Sequence, residues 1–258
     1  MVYIGISRYT EENIKGLLIH APDGVVMGDL LCDKKMFPYG GAELTDLIER
    51  FISMGISVIY QTPMYATDRR FADVLQRVAY LRERNLIDTV IVQDIGLASQ
   101  ISRECKGTNI VWGRMGYART PVINRGTIDF YMKHGVNAFE CKNMEQAMFA
   151  EKVGASAYLV YGYPKYLTIN RECYYRFERN VFDADCGLGC LRHERMLLRA
   201  NQGIETSIDG YVLGWQYVYD ESVRTAAGFD CILYADFLPD ALQRLHEVIS
   251  CEAQRKED

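Results

Sequence analysis

The chain has 258 residues, 49% of them hydrophobic, and a formal net charge of -5. That is enough apolar material for one α/β barrel or two smaller domains, and the acidic balance excludes a general nucleic-acid binder, which needs a basic footprint. No apolar run is long enough for membrane insertion, and the start, MVYIGISRYTEENIKG, lacks the basic and apolar regions of a secretory signal, so a cytoplasmic location with reduced thiols is expected.

Along the chain, short apolar β-branched runs alternate with amphipathic stretches. Strands are predicted at 2–6, 24–27, 57–60, 89–93, 109–113, 137–141, 157–161 and 231–235. Between them, 42–53 reads AELTDLIERFIS and puts Leu44, Leu47, Ile48 and Phe51 on one helical face. Residues 70–84 and 144–152 show the same period. Glycines in MGISVIY, HGVNAFE and VGASAYLV stand where a helix C-cap should precede a strand. Repeated βα units with apolar strands imply a parallel sheet. Their number and the chain length favour a TIM-like (β/α) barrel, complete or distorted, over an open doubly wound sheet. No G-x-G-x-x-G fingerprint follows any strand, which disfavours dinucleotide binding. With no linker or low-complexity segment, residues 1–258 are assigned to one barrel-like domain.

In a barrel of this kind, active sites gather at the C-terminal ends of the strands. Those ends comprise residues 29–32 and 61–65, Gln93 with Asp94, Arg114 with Tyr117, Glu140, and residues 161–165. Asp94 and Glu140 are candidate acid–base or substrate-binding groups. Arg114, Arg119 and Arg125 are candidate anion anchors, because a guanidinium binds a carboxylate bidentately. Tyr117 is a candidate for lining the pocket.

Eight cysteines are present, and four form a pattern. Cys186 and Cys190 lie in DADCGLGCLRHE, Cys173 lies upstream in NRECYYRF, and Cys32 is distant in GDLLCDKK. Gly187 and Gly189 disfavour a helix between the close pair and permit a tight loop. Asp183 and Asp185 make that segment too polar for a core. Four thiolates suit an iron–sulfur cluster or tetrahedral zinc. Zinc sites more often use two close pairs, and only one is present. Cys105, Cys141, Cys231 and Cys251 are scattered singly, as packing thiols are. His193 could hydrogen-bond beside such a centre.

The stretches VVMGDLLCDKK, IVQDIGLASQ, YGYPKYLTINRECYYRFERNVFDADCGLGCLR and NQGIETSIDG resemble the collagenase-like peptidase family, the unassigned peptidase family numbered thirty-two. The likeness covers most of residues 20–215 and is most specific at the cysteines. It implies a 4Fe–4S cluster on Cys32, Cys173, Cys186 and Cys190. It also implies a homologous partner subunit in a heterodimer, and oxygen-independent hydroxylation of a small aromatic in ubiquinone biosynthesis. Prephenate is the oxygen donor that the resemblance suggests. Two positions depart from the family: Ala157 beside Tyr158 stands where a glutamate is usual, and Tyr117 is the rough equivalent of an asparagine. Peptidase activity is not expected, for there is no Ser/His/Asp order, no H-E-x-x-H motif and no Cys–His pair. A non-catalytic, cluster-bearing scaffold subunit is the alternative, and a structural zinc site is the third reading.

Overall fold

A computed structural model describes residues 1–6, 11–19, 22–28, 41–63, 68–113, 124–161, 163–169, 196–199, 205–209, 212–218 and 228–234. The first part of the chain is a regular alternation: β1 (Val2–Ile6), α1 (Glu11–Ile19), β2 (Gly24–Met27), α2 (Gly41–Ser53), β3 (Ser57–Gln61), α3 (Asp68–Glu83), β4 (Thr89–Val92), α4 (Ile95–Glu104), β5 (Asn109–Trp112), α5 (Arg125–Lys133), β6 (Ala138–Cys141), α6 (Met144–Lys152) and β7 (Ser156–Tyr161). Four antiparallel strands follow, β8 (Tyr163–Ile169), β9 (Met196–Arg199), β10 (Glu205–Asp209) and β11 (Val212–Val218), and then β12 (Asp230–Tyr234).

Strands β1 to β7 and β12 pair in parallel and close on themselves in the order β1-β12-β7-β6-β5-β4-β3-β2. Closure decides between the two expected architectures: the sheet is a (β/α) barrel. All eight predicted strands are barrel strands, with ends shifted by a residue or so. The departure from a plain barrel is the connection between β7 and β12. It carries a second sheet, ordered β8-β11-β10-β9, and residues 163–165, expected at the C-terminal end of a barrel strand, begin its first strand.

The helix ends follow from local chemistry. α2, α5 and α6 each end in the predicted glycine, with Gly55, Gly135 and Gly154 at φ of 77°, 89° and 92°. At each, the next amide reaches back five residues: Ile56 to Phe51, Val136 to Tyr131, and Ala155 to Ala150. These are Schellman closures, which satisfy carbonyls the helix itself cannot. Asn85, at φ 54°, does the same for α3. Asp94, Asn124 and Asn143 cap the starts of α4, α5 and α6, accepting from Leu97, Thr127 and Gln146 amides at 2.9, 2.9 and 3.0 Å.

Because barrel strands are buried on both faces, alternate residues face two cores. Val58 and Tyr60 of β3 face the helices and join Leu44, Ile48 and Phe51 of α2 in the outer core. Each such side chain contributes roughly 1.5–3 kcal/mol through burial. The other parity fills the bore with Tyr3, Val26, Ile59, Ile91, Val111, Ala138, Tyr158, Val160, Ile232 and Tyr234. At the N-terminal end, Tyr3 and Tyr158 meet edge to face at 6.0 Å, and Asn109 donates to Tyr158 and Thr89. The middle is apolar. The C-terminal end is not.

Candidate functional site at the barrel mouth

One step above the apolar layer, the inward positions become Gln61, ending β3, Gln93, just past β4, Glu140 on β6, and Tyr234, ending β12. They are 3%, 6%, 2% and 7% exposed. Gln61 Nε2 donates to the Tyr234 hydroxyl at 2.9 Å. Tyr234 donates in turn to Glu140 Oε1 at 2.5 Å. The three strands are not neighbours in the barrel, so this chain of hydrogen bonds crosses the bore. Buried polar groups are tolerated only when paired, and networks in a low-dielectric interior stiffen what they join.

Strand glycines make room for the Tyr234 and Gln93 side chains and for the Gln61 main chain. A Cβ on Gly5 would stand 2.5 Å from the Tyr234 ring, one on Gly28 would stand 2.1 Å from the Gln61 carbonyl oxygen, and one on Gly113 would fall within the Gln93 amide. The mouth is thus a built layer, in which large polar residues occupy space vacated by glycines on other strands.

Of the predicted site residues, Glu140 stands in this layer. Asp94 follows Gln93 of this layer in sequence, but its carboxylate is spent on the α4 cap, accepting from Leu97 N at 2.9 Å. Arg125 opens α5 with a 79% exposed side chain, 3.7 Å from Asp129. Ala157 packs in the outer core, whereas Tyr158 faces the bore near its floor. Neither takes the place of a mouth carboxylate. Cys32, Cys173, Cys186, Cys190, Arg114, Tyr117, Arg119 and His193 lie outside the described residues. Tyr234 was not singled out from sequence as a site residue. Its signal is parity: in CILYAD it shares a face with Ile232 and ends an apolar run with a hydroxyl.

The described cysteines behave as packing residues. Cys141 and Cys231 are buried and hydrogen-bond to the Phe139 and Phe229 carbonyls. Burial pushes the Cys105 thiol up, with Glu104 adding to it, away from the thiolate that metals require. Among the described residues no group of three or more His, Cys, Asp or Glu side chains could hold a metal ion, and no helix is long and apolar enough to cross a membrane.

No known protein family and no curated protein matches the chain. Among solved structures it is similar to a U32 peptidase, Mk0906, with a TM-score of 0.54 and 14% identity, over 90% of this chain and 91% of that one. The chain has the fold of a U32 peptidase. Looser likenesses are to orotidine 5'-phosphate decarboxylase from Lactobacillus acidophilus, with a TM-score of 0.46 and 12% identity over 97% of both chains, and to a chitinase from Chromobacterium violaceum, with a TM-score of 0.46 and 11% identity over 97% of this chain and 98% of that one. At such identities what is shared with the U32-type barrel is architecture, and chemistry has to be argued from side chains.

Proposed function

We propose that this U32-type barrel is the iron–sulfur protein of an oxygen-independent hydroxylation system, similar to UbiV acting with a UbiU-like partner on a ubiquinone precursor or another small aromatic. The observation that carries the reading is the partition of the cysteines. Those the structure describes are buried singly at separate places in the barrel. Cys32 instead follows β2 at its C-terminal end, and Cys173, Cys186 and Cys190 all fall in the β8–β9 connection.

A donor set of four thiols fits a 4Fe–4S centre by ligand chemistry, since such clusters are held by cysteine thiolates. Bound there, the cluster would supply one-electron transfer. Four protein thiolates complete its coordination, which favours an electron-transfer or supporting role over direct binding of substrate. Glu140 with Tyr234 would face the substrate at the mouth, and Arg114, Arg119 and Arg125 would offer forks to a carboxylate donor such as prephenate. A homologous partner subunit would complete the catalytic assembly.

Anaerobic purification followed by an absorbance spectrum and iron, sulfide and zinc assays tests this reading. A brown protein with about four irons per chain is expected, and alanine at any one of Cys32, Cys173, Cys186 or Cys190 should lose iron. A colourless chain carrying zinc would replace the redox reading with a structural one. Iron that survives all four substitutions would refute the ligand assignment.

A further inference from the structure

We draw no further inference here: the strongest candidate, the buried Gln61–Tyr234–Glu140 side-chain cluster that crosses the bore at the barrel mouth, belongs to the site already described and assigns no ligand class beyond it.

Discussion

Replacing Gly28 by alanine would place a Cβ 2.1 Å from the Gln61 carbonyl oxygen and 2.9 Å from the carbonyl carbon, at a residue whose φ is 135°. Neither obstacle can rotate away, because the obstructing atoms are backbone of the adjacent β3. A side chain forced into that φ costs about 1–3 kcal/mol, and an overpacked site costs about 1–3 kcal/mol more. The sum centres on about 4 kcal/mol, or roughly 8–16 °C in Tm for a chain of this size. Gly55→Ala isolates the steric part. Gly55 also has positive φ, 77°, but nothing lies within 4 Å of its Cβ position, so it incurs only the backbone term, about 1–3 kcal/mol. Thermal and urea unfolding followed by circular dichroism measure both variants. Equal destabilisation by the two variants, within about 0.5 kcal/mol, would show that the β2–β3 approach is not tight and would refute the account of the mouth as a glycine-cleared layer.

Asp94→Ala should cost about 1 kcal/mol through the lost α4 cap, read as a lower urea midpoint, with iron content unchanged. Serine at Cys105, Cys141 or Cys231 should leave iron per chain unaltered, in contrast to alanine at Cys32, Cys173, Cys186 or Cys190; loss of iron from any of the three would contradict their role as packing thiols. Burial raises the pKa of both Tyr3 and Tyr158; Tyr158 and then Asp230 add to the rise at Tyr3, and Asp230 adds to it at Tyr158. The folded state therefore holds their protons more tightly. Their contribution is present in full below pH ~10, the ordinary tyrosine value, and falls as pH rises beyond it, by up to about 1.4 kcal/mol per pH unit for each tyrosine. Urea midpoints between pH 9 and pH 11 should show this fall, and Tyr3→Phe should reduce its slope.

The barrel was legible in the sequence because its strands are buried on both faces. A run such as TVIV shows no polar interruption, and its end is announced by Gln93. The glycines closing α2, α5 and α6 were legible for a related reason: only positive φ lets the chain turn so sharply from helix to strand. Asn85 does the same work at α3 without the glycine signal. The second sheet escaped because its pattern is broken. Its β8–β11 pairing shifts register between Leu213 and Gly214 and between Trp215 and Tyr217, and a bulge destroys the two-residue period by which a strand is recognised. At the mouth, Gln61, Gln93 and Glu140 were visible as strand ends, but their linkage through Tyr234 joins positions up to 173 residues apart. Asp94 illustrates the converse: a carboxylate at a strand end looks the same in sequence whether it serves chemistry or caps the next helix.

Strand β12 pairs with both β1 and β7, yet the connection that separates it from β7 runs from residue 162 to residue 229. During synthesis, β1 to β7 can assemble while β12 is still unmade. At ~5–20 residues per second the ribosome needs roughly 3–14 s to translate that connection. For that interval the nascent sheet has two open edges, on β1 and β7, each presenting unpaired amides and carbonyls that invite pairing with another chain. Strand β12 therefore acts as a late keystone, and the time it takes to arrive sets a window in which chaperone capture competes with misassembly.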